Sequence, residues 1–163
     1  MTNNPSSQAI SIRDYVPDDL DALIAVFRGS VRAVARRDYS HDQVMAWAPD
    51  EIDRDHWAAQ GAGTATFVAV IDGRPVGFAD LEADGHIDML YVDAGHQRRG
   101  VARALIGAVE TAARGRRLAR LHVEASLTAR GFFARHGFRV VAPQTVVVRG
   151  QEFVNVRMEK PLC

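Results

Sequence analysis

A short loop rich in glycine and arginine joins a strand-like segment to a helix-like segment in the middle of the chain. Residues 90–105 read Leu-Tyr-Val-Asp-Ala-Gly-His-Gln-Arg-Arg-Gly-Val-Ala-Arg-Ala-Leu. The free backbone N–H groups of such a loop, followed by the positive end of a helix dipole, favour bound phosphate. Gly100 and Ala102 have no bulky side chain to keep an anion away from the main chain. The loop therefore predicts an anion-binding site.

Two titratable side chains, His86 and Asp88, stand two positions apart just before this loop. In a strand they face the same side, with Cα atoms roughly 6.5 to 7 Å apart. Histidine has an ordinary pKa of about 6.5 and is a base near neutrality, and a neighbouring carboxylate raises its basicity or attracts a cation. The pair predicts a site of proton transfer. Two solvated polar residues after the turn at Asp84-Gly85 would give the same pattern.

The elements that position these residues alternate between strand and helix patterns. A strand is predicted over 9–13, and a helix beginning at Pro17 carries apolar residues at helical spacing. Ser40 caps a short helix that Pro49 stops, and 50–60 adds a turn or two of helix.

The second half of the chain continues the same alternation. Strand-like runs over 64–71 and 75–81 are joined by Asp72-Gly73, a favoured hairpin turn, and 86–92 is the third consecutive antiparallel strand. A helix over 99–114 ended by Gly115, a strand over 118–125, a helix over 126–136 and two strands over 140–148 and 153–158 follow. We expect a mixed α/β (α+β) single domain in which helices flank both faces of a central, mostly antiparallel sheet.

Length and charge set the class of protein. The chain has 163 residues, 20 basic and 20 acidic, with a formal net charge of +0. This length fits one domain, and the neutral balance argues against a partner that is nucleic acid or a membrane surface. No apolar run approaches the ~20 residues that cross a bilayer. The single cysteine, Cys163, excludes an internal disulfide and suits a reducing compartment. Residues 1–8 are polar and lack a signal-peptide pattern, and we expect them to be a disordered tail. We expect a cytoplasmic protein with its domain over 9–160.

Two motifs together carry a family resemblance. Gln97-x-x-Gly100-x-Ala102 resembles the acyl-CoA-binding motif of the GCN5-related N-acetyltransferase (GNAT) superfamily, in which Gln or Arg, two residues, Gly, one residue and Gly or Ala occur. Ser126, Ala129, Phe133 and Gly137-Phe138 are similar to that family's later motif of Asn, Ala, Tyr and Gly-Phe. Two motifs in the right order are far more specific than one glycine loop.

The resemblance implies an acetyl-CoA cofactor site on this chain. Backbone groups around the loop and on the strand before it would hold the pyrophosphate and the pantetheine arm, with side chains of the later motif nearby: Leu90, Tyr91, Val92, Gln97, Arg98, Arg99, Gly100, Val101, Ala102, Arg103, Ser126 and Phe133. Ser126 replaces the usual Asn and keeps a polar group. Phe133 stands where most relatives carry the Tyr thought to protonate the departing thiolate, and a phenyl ring cannot donate that proton.

The resemblance also bears on catalysis and on the acceptor. His86 stands where histone-acetylating relatives have a basic Glu, so His86 is the expected proton acceptor, directly or through water, with Asp88 beside it. His122 and Glu124 form a second pair of the same kind. Tyr39, Trp47 and Glu124 are candidates for acceptor binding, although packing of the amphipathic helix explains Trp47 nearly as well. Tyr91, by strand alternation, faces away from Asp88, and no metal site is expected.

The predicted function is transfer of acetyl from acetyl-CoA to a primary amine of a small molecule, by direct attack in a ternary complex, because no cysteine lies near the motif. A catalytically weak acyl-CoA-binding or regulatory module and a protein N-terminal or lysine acetyltransferase are the alternatives. The glycine spacing does not fit a dinucleotide-binding fold. Both a monomer and a homodimer are compatible with the sequence.

Overall fold

The computed structural model describes residues 9–162; the tail expected over 1–8 lies outside the described residues. The strands are β1 (Ser11–Asp14), β2 (Ala65–Ile71), β3 (Arg74–Leu81), β4 (His86–Ile87), β5 (Leu90–Val92), β6 (Arg120–Ser126), β7 (Arg139–Val148) and β8 (Gln151–Pro161). The helices are α1 (Leu20–Ala33), α2 (His41–Trp47), α3 (Arg54–Gly63), α4 (Val101–Gly115) and α5 (Arg130–Arg135). None of these helices combines the length and the apolarity that crossing a bilayer requires.

The strands form two four-stranded sheets rather than one central sheet. The first has the order β1-β2-β3-β5 and is antiparallel throughout. The second has the order β4-β6-β8-β7, in which only β4 and β6 run parallel. The predicted hairpin between β2 and β3 is confirmed: Asp72 and Gly73 have φ of 51° and 75°, the left-handed pair that a tight two-residue turn requires.

The strand expected over 86–92 is broken in the middle. β4 joins the second sheet, with His86 opposite His122, whereas β5 joins the first, with Tyr91 opposite Phe78. The cause is Asp80 on β3, whose Oδ1 accepts the backbone N–H groups of Asp88 at 2.8 Å and Met89 at 2.9 Å. β5 thereby becomes an edge strand of the first sheet among the described residues.

Helices cover both faces of the first sheet, as predicted. Neighbouring residues of β3 point to opposite sides. Phe78 belongs to an apolar cluster with Phe27 of α1, and Ala79 belongs to a second cluster with Leu105 of α4. The sheet is therefore buried on both faces, and its β5 edge lies between α1 and α4, both of which contact it.

The local sequence predicted the start of α2 correctly, but not the end of α4 or the start of α5. Ser40 caps α2 as predicted, its side chain accepting the N–H of Gln43. Gly115 does not terminate α4; it is the last helical residue, and the left-handed residue that follows is Arg117, with φ of 57°. The helix expected from Ser126 begins only at Arg130, because Ser126 and Ala129 form a separate turn closed by the Ser126 hydroxyl.

Candidate active site

A cavity of about 520 Å³ lies between the loop before α4, the edge of β5 and the segment after β6. Ten of the twelve residues predicted to bind the cofactor line it: Leu90, Tyr91, Val92, Gln97, Arg98, Gly100, Val101, Ala102, Arg103 and Ser126. Arg99 is not among the described lining residues, and Phe133 lines a second cavity instead. Arg37 and Arg135 also line the first cavity, and sequence reasoning missed both. We call it the cofactor cavity.

The loop before α4 has the backbone geometry of an anion cradle. Gly100 is the N-cap of α4 with φ of 85°, and no side chain caps the first turn, so its N–H groups are left for a ligand. Around a Cβ built on Gly100 the nearest atom is Ile10 Cδ1 at 3.9 Å, so the space over the glycine is open. Gln97 fixes the loop, because its side-chain N–H donates to the carbonyl of Val92 at 2.8 Å. This arrangement fits a diphosphate.

A second cavity, of about 410 Å³, adjoins the first. All three residues predicted to bind the acceptor, Tyr39, Trp47 and Glu124, line it together with Asp88. We call it the acceptor cavity. The two cavities share five lining residues, which therefore mark the junction: Trp47, Leu90, Tyr91, Ser126 and Ala129.

The two residues of the predicted proton-transfer pair, Asp88 and His86, lie at different depths relative to the acceptor cavity. Asp88 lines the acceptor cavity and accepts the side-chain N–H of Gln60 at 2.5 Å. His86 lies behind the wall: Nε2 is 2.5 Å from Glu124 and Nδ1 is 3.2 Å from Glu82. One polar side-chain atom each of Glu82, His86 and Asp88 lies within 4.8 Å of the others, so His86 and Asp88 do share one side.

Two carboxylates hold the His86 ring, which also stacks on His122 with ring centroids 5.1 Å apart. Burial of the ring disfavours its charged form, but the hydrogen bonds and charges of Glu124 and Glu82 outweigh burial and raise the pKa of His86 above its usual 6.5. His86 reaches the cavity through Glu124, which lines it.

Asp80 is a buried acid that sequence reasoning missed. It is 0% exposed, and its Oδ2 has no hydrogen-bond partner among the described residues. Burial raises the pKa of Asp80 to about 6, although the N–H groups of Met89 and Asp88 act in the opposite direction. A charged residue inside the otherwise apolar run 75–81 was the available signal, because buried acids are rare unless they have a structural or chemical task.

Tyr91 lies at the junction of the two cavities. Its hydroxyl accepts the indole N–H of Trp47 at 3.2 Å, and burial raises the pKa of the phenol, which keeps it protonated near neutral pH. The alternation argument that faced Tyr91 away from Asp88 is wrong: both line the acceptor cavity, because the strand is broken between Ile87 and Leu90.

The remaining predicted side chains shape the walls. The Tyr39 hydroxyl donates to the carbonyl of Val154 at 2.8 Å and accepts the N–H of Leu127 at 2.9 Å. Phe133 is 2% exposed and packs against Phe138 with ring centroids 5.0 Å apart, so no hydroxyl enters the acceptor cavity from its position.

Comparison with known proteins agrees with this geometry. A family model described as "Acetyltransferase (GNAT) domain" matches residues 35–160. The chain belongs to the GNAT family. It is therefore an acyltransferase, and residues of both sequence motifs, among them Gly100 and Ser126, line the cavities described above.

Individual GNAT relatives extend over nearly the whole chain. An uncharacterized N-acetyltransferase of Escherichia coli K12, YafP, is 40% identical over 149 residues, which cover 91% of this chain and 94% of the relative. A GCN5-related N-acetyltransferase from Rhodopseudomonas palustris is 37% identical, with a TM-score of 0.91 over 95% of this chain and 98% of that structure. The PaiA N-acetyltransferase of Thermoplasma acidophilum, solved in complex with coenzyme A, shares the fold with a TM-score of 0.75 at 19% identity, over 94% of this chain and 99% of that one.

Proposed function

We propose that this GNAT protein transfers the acetyl group of acetyl-CoA to a primary amine of a small molecule by direct attack within a ternary complex. The observation that carries the proposal is the wall common to both cavities, where Trp47, Leu90 and Tyr91 line each side. A donor in one cavity and an amine in the other meet at that wall. None of the described lining residues is a cysteine, which favours direct transfer over an acyl-enzyme.

The chain provides two features for the donor. The uncapped first turn of α4 after Gly100 offers N–H groups to the diphosphate, and Arg98 and Arg103 in the same cavity add positive charge. The open edge of β5 offers main-chain groups to the pantetheine arm as if to an added strand. Acetyl-CoA bound in this way supplies a thioester that an amine can attack.

The acceptor amine must first lose a proton. An alkylammonium with a pKa near ~10.4 is neutral in only about one molecule in 10³ at pH 7, so a nearby proton acceptor speeds attack. Asp88 and Glu124 line the cavity and attract the ammonium, and the proton passes to these carboxylates or to a water between them. His86 acts as a positioning residue, because it holds Glu124 from behind.

The leaving sulfur needs a hydrogen-bond donor that Phe133 cannot provide. Tyr91 and Ser126 are the two hydroxyl residues at the junction of the cavities. A phenol is a far better proton donor than an aliphatic hydroxyl, and Trp47 already occupies a lone pair of the Tyr91 oxygen, so its hydrogen is left for the sulfur. As the new N–C bond forms and the C–S bond breaks, the amine loses one proton and the thiol gains one.

A paired measurement tests the proposal. Calorimetry with coenzyme A reports binding, and thiol release from acetyl-CoA with a panel of primary amines reports transfer. We expect saturable binding and amine-dependent release, and we expect Asp88→Asn to lower kcat/KM by about a hundredfold. Glu51→Gln, an exposed carboxylate outside both cavities, is the matched control and keeps the native rate.

The outcomes separate the alternatives. Binding without release for every amine would leave the acyl-CoA-binding module, which the missing hydroxyl at Phe133 favours. Release with a peptide amine but with no free small amine would support a protein acetyltransferase. Absence of coenzyme A binding at millimolar concentration would overturn the whole assignment of the cofactor cavity.

A further inference from the structure

The wall of the acceptor cavity is rich in aromatic side chains. Seven of them line it, from α1, α2, α3, α5, β5, β8 and the segment before α2: Phe27, Tyr39, Trp47, Trp57, Tyr91, Phe133 and Phe153. Six of these rings contact one another in a continuous series. Phe27 lies 5.1 Å from Trp57 and 5.0 Å from Tyr91 by ring centroids, and Trp47 lies 6.3 Å from Tyr91 and 6.2 Å from Phe153. Such a surface favours a ligand with a π face or a ring edge.

Two carboxylates in the same cavity are placed to attract a cation. Asp88 and Glu124 both line it. An ammonium group supplies three N–H donors and a positive charge that complements these carboxylates.

The two cavities differ in the sign of their charge. The cofactor cavity is lined by Arg37, Arg98, Arg103 and Arg135, whereas none of the described residues that line the acceptor cavity is Lys or Arg. His56, an exposed residue, is the basic side chain among them. A carboxylate on the ligand would therefore face two carboxylates without a permanent cation to balance it.

These observations indicate the class of acceptor. The inference rests on the function proposed above. We propose that the acceptor is a primary amine that carries an aromatic ring and no carboxylate, an arylalkylamine. The ring packs against the series that includes Trp47, Trp57 and Phe27, and the ammonium lies toward Asp88 and Glu124. Acetylation replaces one N–H by N–C as the C–S bond of the donor breaks and the thiol is released.

Three matched amines test the ring and the missing carboxylate separately. 2-Phenylethylamine carries both features, n-butylamine lacks the ring, and phenylalanine adds the carboxylate. Measured by thiol release from acetyl-CoA, kcat/KM for 2-phenylethylamine is expected to be at least about tenfold above that for either other amine. The reason is that n-butylamine loses the contact with the aromatic wall, and phenylalanine brings a carboxylate toward Asp88 and Glu124. Equal values for n-butylamine or for phenylalanine would overturn the inference, while the enzyme itself would stand.

Variants of the wall give an internal check. Trp57→Leu should reduce the preference for 2-phenylethylamine over n-butylamine by about tenfold, since one face of the ring site is removed. Tyr15→Leu, a partly buried ring packed on the same apolar cluster but outside both cavities, should leave that ratio at its native value. The ratio is informative even where a variant lowers the amount of folded protein.

Binding can be observed without catalysis. The two tryptophans of the chain are Trp47 and Trp57, and both line the acceptor cavity, so intrinsic fluorescence reports on it directly. A saturable fluorescence change with 2-phenylethylamine is expected in the native chain, both with and without coenzyme A. Binding without turnover would refute the proposed function and keep the ligand class. No saturable change and no turnover would refute the ligand class as well.

Discussion

The Asp80 carboxylate on β3 accepts the backbone N–H of Met89 at 2.9 Å, and this contact parts β4 from β5. Asp88 and Met89, the two residues at this break, line the acceptor cavity. A buried acid with a raised pKa makes the break sensitive to protonation.

The first prediction concerns stability against pH. The pKa of Asp80 rises from 3.8 to about 6 on folding, so its neutral form is favoured in the folded state. The stability that Asp80 contributes to the folded state is fully present below its unfolded pKa of 3.8 and is lost as pH rises through its folded pKa of about 6. A change of about two pKa units corresponds to about 3 kcal/mol. Denaturant unfolding of the native chain and of Asp80→Asn between pH 4 and pH 8 should show a difference that varies with pH by roughly this amount.

The exposed residue Asp42 gives the control for that experiment. The difference between the native chain and Asp42→Asn should not follow the same curve, because its carboxylate is exposed on the first turn of α2. A pH-independent difference for Asp80→Asn would show that Asp80 does not titrate in this range.

The second prediction concerns His86. Its raised pKa means that the charged ring stabilises the folded state below the unfolded value of 6.5, and that this stabilisation is lost as pH rises through the folded value. Glu82 and Glu124 face the ring favourably, and His122 stacks on it with Asp84 alongside. His86→Gln should therefore cost more unfolding free energy at pH 5.5 than at pH 9, measured by urea denaturation.

His41→Gln, at the exposed start of α2, is the counterpart for His86→Gln. The loss of unfolding free energy caused by His41→Gln should not differ by a comparable amount between pH 5.5 and pH 9. A cost for His86→Gln that is larger at pH 9 would reverse the sign and contradict the proposed pairing with the glutamates.

The third prediction concerns the anion cradle. Gly100→Ala should weaken coenzyme A binding by about tenfold or more, since the new Cβ enters open space of the cofactor cavity and strains a backbone with φ of 85°. Gly150→Ala is a close control, because Gly150 has a similar φ of 81°, has open space around its Cβ position, and lies in the turn between β7 and β8. Both variants should lose roughly 1 kcal/mol of stability, but only Gly100→Ala should change the Kd from calorimetry.

The fourth prediction concerns the leaving sulfur. Tyr91→Phe should lower kcat roughly tenfold to a hundredfold with little change in KM for acetyl-CoA, because the hydroxyl acts when the C–S bond breaks. Phe133→Tyr in that background should restore part of the rate by bringing a phenol to the acceptor cavity from the other wall. Ser126→Ala should have the smaller effect on kcat. If Ser126→Ala were slower than Tyr91→Phe, the donor would be the serine.

Local sequence predicted much of this molecule because the signals were local. Asp72-Gly73, the Ser40 cap and the loop ending at Gly100 depend on the conformations of neighbouring residues, and all three are where the pattern indicated. The acceptor cavity was found only in part. Tyr39, Trp47 and Glu124 were predicted to line it, but Trp57 and Asn155 were not, because they come from separate segments that meet only in the folded chain.

The broken strand shows why periodicity failed at one point. Alternation along 86–92 assumes one continuous strand, but Asp80, six positions before His86, provides a hydrogen-bond acceptor that no pattern within the strand reveals. The break moves Tyr91 to the wall that Asp88 also lines. A sequence argument that counts from one end of a strand therefore assigns faces correctly only up to such a contact.

The two cavities are lined mostly by different residues, and this has a consequence for divergence within the family. The acceptor wall draws on α1, α2, α3 and β8, while the phosphate cradle belongs to the loop and first turn of α4. Substitutions at Phe27, Trp57 or Phe153 can therefore alter which amines bind without changing the residues that bind coenzyme A. A lineage descended from this chain can acquire new acceptors one wall residue at a time while it retains an inherited donor.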